Sequence, residues 1–318
     1  MNLGKLVGNT PMIKINYEYE GKTRSTYSKL EFYNYSGSIK DRIALNIIET
    51  ERKNGNLKEG QLIVEVTSGN TGISFSAIGA LYGHDVHIFM PDWVSIERRN
   101  LIEMYGAHVH LVSKEEGGFK KALELAEEFA VENDAYRPLQ FDNPLNVKVQ
   151  YQTGQEILDD IGDVDAFVSG IGTGGTLMGI GKRLKESNPN FKLFALEPST
   201  LSILKMGMEE GSHMIEGIGD DFIPGIIEEE LIDDIVLIDD LDAINMSKRL
   251  AKEFGLGIGI SSGANFLASV LINKDNIKVA TVFADDNKKY ITTKLSEEID
   301  RDSNLISNKI KLINFEVI

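Results

Sequence analysis

The sequence predicts an α/β protein of two domains, each a mostly parallel sheet flanked by helices. Short apolar runs of strand length alternate with longer segments of helical period along most of the chain. Three glycine-bearing loops follow or flank these strands, where ligands bind in open parallel sheets. The length, 318 residues, suits two domains of ordinary size, and at 42% hydrophobic residues each can close a core.

Strands are expected over 62–66, 85–90, 108–112, 166–169, 192–196 and 278–283, where β-branched and aromatic residues run together. Helices are expected over 41–53, 96–105, 119–132, 149–160, 177–186, 243–254 and 264–272, with a further helical run from Ile73. Right-handed crossovers then place the loops after the strands on one edge. The stretch 142–146 separates two sets of strand–helix units and marks a domain boundary. The smaller domain is placed at 36–142 and the larger at 1–35 with 143–318. The acidic run 228–242 reads mostly as a solvated face. Residues 304–318, apolar and basic, are expected to pack on the larger domain or to cross to a partner subunit.

The net charge of −16 disfavours nucleic acid and anionic membrane surfaces as partners. No apolar run is long enough to span a bilayer, and the first residues lack the layout of a secretory signal, so a cytoplasmic protein is expected. The absence of cysteine excludes disulfides and thiolate nucleophiles. Four of the five histidines, His84, His87, His108 and His110, fall in two expected strands; the fifth is His213. They read as half-exposed strand residues, with no metal site expected.

The loop Ser169-Gly170-Ile171-Gly172-Thr173-Gly174-Gly175-Thr176 follows an apolar strand and opens a helix. Successive glycines let backbone N–H groups converge on an anion, and the helix N-terminus adds positive potential. This makes a phosphate cradle without a lysine. A Walker loop is excluded because Lys182 is followed by Arg183; a dinucleotide loop is excluded by Leu177, where a glycine is required. The loop Thr67-Ser68-Gly69-Asn70-Thr71-Gly72 offers hydroxyls, an amide and free N–H groups at a helix start, which suits a small carboxylate. In Ser36-Gly37-Ser38-Ile39-Lys40-Asp41-Arg42, Lys40 lies at a helix start. A cation is disfavoured there, so its pKa falls and its amine becomes available as a Schiff-base former.

Those loops, in that order, resemble the cysteine synthase and cystathionine β-synthase family, pyridoxal-phosphate enzymes of the tryptophan-synthase-β fold. Further motifs share the register: Gly8-Asn9-Thr10-Pro11-Met12, Met90-Pro91 with Ser95–Arg99, Gln140–Pro144, Glu197-Pro198, Glu216–Gly219 and Gly259–Ala264. The resemblance implies that Lys40 carries pyridoxal 5′-phosphate as a Schiff base and later acts as the base at Cα. Gly172, Thr173, Gly174, Gly175 and Thr176 would hold the phosphate. Asn70 would meet the ring hydroxyl oxygen, and Ser262, in preference to Ser261, the pyridine nitrogen. Thr67, Ser68, Asn70, Thr71 and Gln140 would bind the substrate carboxylate. A serine at the pyridine nitrogen makes a weaker electron sink than an aspartate, which favours β-replacement through an α-aminoacrylate over transamination or racemisation. The resemblance also implies a homodimer and, as a possible partner, the C-terminal tail of a serine acetyltransferase.

The chain departs from the family pattern at Tyr35, Val66, Trp93 and Val94, around the substrate mouth. The most informative departure is Asp221, where plain cysteine synthases carry a small residue. Hydrosulfide needs no base, whereas water or a hydroxyl does. Asp221 therefore favours exchange of HS with OH or with a thiol on cysteine- or serine-type amino acids. Cysteine synthesis from O-acetylserine is the alternative, followed by a serine/threonine dehydratase or a non-catalytic partner-binding protein. A turn cap before Pro224 is the structural reading of Asp221.

Overall fold

The structure is a computed structural model that describes residues 3–208, 210–298 and 304–318. A hairpin comes first: β1 (Met12–Tyr19) and β2 (Lys22–Leu30) pair antiparallel. Glu20 and Gly21 both take positive φ (51° and 69°), the twist that a two-residue hairpin turn demands. Then follow α1 (Lys40–Asn54), β3 (Ile63–Val66), α2 (Asn70–Tyr82), β4 (Val86–Pro91), α3 (Ile96–Met104), β5 (His108–Val112) and α4 (Gly118–Glu132). The second set is α5 (Pro144–Ile161), β6 (Ala166–Gly170), α6 (Gly175–Ser187), β7 (Lys192–Pro198), α7 (Ile203–Met206), β8 (Asp234–Ile238), α8 (Asp240–Phe254), α9 (Ile260–Ile272) and β9 (Val279–Phe283). The chain closes with α10 (Ile306–Lys309) and β10 (Lys311–Val317).

Two sheets result, as the alternation predicts. One has three parallel strands in the order β3-β4-β5. The other has seven, β10-β1-β2-β9-β6-β7-β8, parallel from β2 to β8 with an antiparallel edge. The larger sheet is buried on both faces. On one side Ile244, Leu250 and Leu267 of α8 and α9 pack against β6 and β9; on the other, Ile157, Leu177 and Ile180 of α5 and α6 do so. The small sheet has its own core, in which Ile63 and Ile88 meet Ile43, Phe75 and Ile102. Burial of β6 and β9 at the centre of the larger sheet explains why they read as apolar runs.

Several boundaries differ from the sequence reading for local reasons. α5 begins at Pro144 rather than 149 because Asn143 caps it, accepting from Leu145 N at 3.0 Å. Most carboxylates of the acidic run are exposed, as read, but the run contains β8, and Asp240 and Asp242 are buried. The Asp242 carboxylate caps α10, accepting from the N–H groups of Ile306 and Ser307 at 3.1 and 2.7 Å. Residues 304–318 pack on the larger sheet of the same chain, where β10 pairs with β1 and forms the edge. Among the described residues no helix is long and apolar enough to cross a membrane.

Candidate active site

A cleft of about 1000 Å³ opens where the loops after β3, β4, β6 and β9 face one another. Lys40, Thr67, Ser68, Asn70, Thr71, Gln140, Gly172, Thr173, Gly174, Thr176 and Asp221 all line it. Side chains from distant stretches of sequence thus meet in one space, Lys40 among them.

The Lys40 loop is fastened to the end of β9: Ile39 N donates to Ala284 O at 2.9 Å, and Ser38 bridges Asp285. Asp41 takes the Ser36 N–H at 2.7 Å and bonds the Ser36 hydroxyl, which fixes the turn just ahead of α1. Among the described residues no hydrogen bond or ion pair holds the Lys40 amine. Burial pulls its pKa below the usual lysine value, with Asp220 and Asp285 opposing the fall. An unheld amine whose charged form burial disfavours, on the wall of a cleft, is suited to bonding a carbonyl carbon.

The glycine turn after β6 has the shape of an anion cradle. Gly174, at φ +87°, caps α6, and a side chain on Gly172 would stand 2.5 Å from Gly217 O. Among the described residues the N–H groups of Gly172, Thr173 and Gly174 have no protein acceptor, an unusual state for backbone donors at a helix start. Asn146 braces the turn from α5, donating to Thr173 Oγ1 and to Gln140 O at 2.9 Å each. A Cβ on Gly175 would lie 2.0 Å from Asn146 Oδ1, so the brace requires glycine there. The donor set and the bare turn fit the phosphate of pyridoxal phosphate.

Asn70 opens α2 and donates to Asp285 Oδ2 at 2.7 Å, while its own Oδ1 is buried without a partner. Such an orphan acceptor on a cleft wall fits a ligand hydroxyl. Asp285 is fully buried and also takes the Tyr290 hydroxyl, so it fixes the Asn70 amide from behind. Thr71 donates to Gln140 Oε1 at 2.6 Å, and Gln140 Nε2 donates to Val66 O at 2.7 Å, which ties both to the carboxylate loop. Arg98 supports that loop: its Nη1 donates to Ser68 O at 2.8 Å, and Nη2 pairs with Glu216 across the cleft. Gly69 must be glycine, because a Cβ would fall 2.3 Å from Arg98 Cδ.

At the start of α9 it is Ser261 that lines the cleft. Ser262 is fully buried, and its Oγ accepts from Ala284 N at 3.0 Å. The two aspartates before Pro224 also part company. Asp221 is exposed and lies 3.7 Å from Lys120 on α4. Both line the cleft, but Asp220 is half-buried, within reach of the Lys40 field, and burial pushes its carboxyl up to about 6. The sequence reading gave no site role to Asn146, Arg98 or Asp285; of these, Asp285 carried a signal, since it lies two residues beyond the strand 278–283, at the ligand-binding edge.

Comparison with known proteins matches these features. Residues 3–284 fit the family model described as pyridoxal-phosphate dependent enzyme. A cysteine synthase of Staphylococcus aureus is 41% identical over 303 residues, covering 92% of this chain and 96% of that protein. A probable cysteine synthase of Bacillus subtilis is 39% identical, covering 92% and 97%. The crystal structure of a hydrogen sulfide-producing enzyme from Fusobacterium nucleatum superposes with a TM-score of 0.96 at 45% identity, over 99% of this chain and 97% of that one. The cleft, its free amine and its glycine cradle therefore have a settled meaning: the chain belongs to the pyridoxal-phosphate-dependent enzymes, within the cysteine synthase family.

Proposed function

We propose that the protein replaces the β-substituent of cysteine- or serine-type L-amino acids, exchanging HS with OH or with a thiol. The observation that carries this reading is Asp220, a half-buried carboxylate on the cleft wall within the field of Lys40. Hydrosulfide enters as an anion, so a buried base near the reacting groups serves a nucleophile that must lose a proton. The likeness to the hydrogen sulfide-producing enzyme supports the same direction, and an aspartate-to-asparagine variant of that enzyme has been crystallised with an α-aminoacrylate intermediate.

The residues divide the work as follows. Gly172–Thr176 hold the phosphate, Lys40 supplies the amine for the aldehyde, Asn70 meets the ring hydroxyl, and Ser261 takes the pyridine nitrogen in place of Ser262. Bound there, pyridoxal phosphate supplies the electron sink that lets one group leave the β-carbon and another enter. Thr67, Ser68, Thr71 and Gln140 grip the substrate carboxylate. Lys40 takes the Cα proton, its pKa lowered by burial. Asp220 takes the proton from the entering water or thiol, and Asp221 stays at the rim as the partner of Lys120. Residues 36–142 act as the smaller, mobile domain, and the Arg98–Glu216 pair latches it when the carboxylate is held.

Product analysis tests the reading. L-Cysteine in buffer is expected to give L-serine and hydrogen sulfide; formation only of cysteine from O-acetylserine and sulfide would replace it with the cysteine synthase reading. The family resemblance further supports a homodimer, which light scattering checks. It also supports capture of an acetyltransferase C-terminal tail, which a peptide ending in a free carboxylate checks.

A further inference from the structure

The three-stranded sheet carries a second cluster of side chains. β4 and β5 run parallel with His87 opposite His108 and Phe89 opposite His110. Alternation along a strand puts Asp85, His87 and Phe89 on the same face as His108 and His110. That face is the one α4 covers, with the Phe129 ring 4.6 Å from His87. Asp85 Oδ1 lies 3.3 Å from His108 Nε2, and Oδ2 lies 3.7 Å from His87 Nε2. The ligand atoms of Asp85, His87 and His108 all fall within 4.8 Å of one another. Around a tetrahedral zinc, with bonds of about 2.0–2.1 Å, ligand atoms stand roughly 3.3 Å apart. Asp85 and His108 are both exposed, and turning the His108 ring out of its stack on His87 brings the three ligand atoms to that spacing.

A fourth residue argues for more than chance proximity. His110 Nε2 lies 2.9 Å from His87 Nδ1, and the His110 ring is stacked on Phe89 at 4.3 Å. The His87 and His108 rings lie stacked at 4.5 Å, and with Nε2 left for a metal the Nδ1 proton of His87 would go to His110 Nε2. This is the outer hydrogen bond that metal-binding histidines require. His84 takes no part; its ring bonds Arg52 and Gln61 O. The sequence reading set these histidines aside as half-exposed strand residues, with no carboxylate-rich motif beside them. The register of β4 supplies one from Asp85, just before the strand.

We infer that Asp85, His87 and His108 form a binding site for a divalent transition cation, zinc by its ligand set, with His110 orienting His87. Two imidazoles and a carboxylate leave a fourth position for water. The site sits toward the N-terminal ends of β4 and β5, whereas the cleft takes Pro91 and Trp93 beyond the other end of β4. Zinc there ties the two strands together without touching the reacting groups.

The test is calorimetric titration of zinc chloride into chelator-treated, cofactor-loaded enzyme, without amino-acid substrate. One zinc per chain is expected to bind and to raise the melting temperature. His87→Asn and His108→Asn are each expected to lower the affinity at least a hundredfold, and Asp85→Asn at least tenfold. His110→Gln should cost ten- to a hundredfold, the usual loss of an outer partner. Cysteine turnover of the zinc-free variants should match wild type, which shows that they fold. Absence of saturable binding, or undiminished affinity in the His87→Asn/His108→Asn double variant, would overturn the assignment.

Discussion

Replacing Asp220 with asparagine removes a base while nearly preserving the shape of the cleft. Burial raises this carboxyl from 3.8 to about 6, a shift of roughly 3 kcal/mol in proton affinity at 1.36 kcal/mol per unit. The group therefore stays mostly ionised at neutral pH yet is a far stronger base than an exposed aspartate. Positioned general bases contribute about 10²–10⁴-fold. Asp220→Asn is expected to lower hydrogen sulfide release from L-cysteine in water by that factor, read by sulfide trapping and serine quantitation. Synthesis of cysteine from O-acetylserine and sulfide should fall less than about tenfold, because hydrosulfide brings no proton that needs a base. The wild-type rate with water should rise with pH through about 6, as the base ionises, and the variant should lose that limb. Asp221→Asn should stay within about threefold of wild type, since an exposed ion pair with Lys120 is worth little. Equal loss of both activities in Asp220→Asn, or a larger loss in Asp221→Asn, would refute the reasoning.

Other perturbations read the rest of the site. Ser261→Ala should change the visible spectrum and weaken cofactor binding. Ser262→Ala should leave the spectrum alone and cost about 1–3 kcal/mol in denaturant unfolding, because the buried Ala284 N–H loses its acceptor. Gly175→Ala drives a methyl group into Asn146 and should lower cofactor affinity at least tenfold in equilibrium dialysis. Glu65 is buried behind Gln140, with its carboxyl pushed up from 4.5 to about 7. A raised carboxylate stabilises the fold when protonated, so its contribution is complete below about pH 4.5 and is lost as pH rises through about 7. Relative to Glu65→Gln, wild type should lose up to about 3 kcal/mol over that range in denaturant melts.

The buried parallel strands and their helices were legible because each is an apolar run bounded by turn residues, as at 62–66 and 278–283. The β1–β2 hairpin was less so: Lys, Asn, Tyr and Glu alternate there with the buried Met12, Ile13, Ile15 and Tyr17, so hydrophobicity averages out. β8 was hidden inside an acidic run, most of its carboxylates exposed, in which Asp239 caps α8 and Asp242 caps α10. Within the site, loops named the chemistry but not the register. Adjacent residues at a helix start differ by about 100° in direction, which separates Ser261 from Ser262. The turn before Pro224 likewise sets Asp220 deeper in the cleft and leaves Asp221 exposed at its rim beside Lys120. Arg98 and Asn146 act through contacts between elements far apart in sequence, for which no local pattern exists.

The most direct test of the account is to find which amine carries the cofactor. The purified protein should absorb in the visible range, and borohydride reduction followed by peptide mass spectrometry should place the pyridoxyl mass on Lys40, with Lys40→Ala colourless and unlabelled. Labelling at another lysine, such as Lys29 or Lys289, or a Lys40→Ala variant with wild-type colour and turnover, would contradict it.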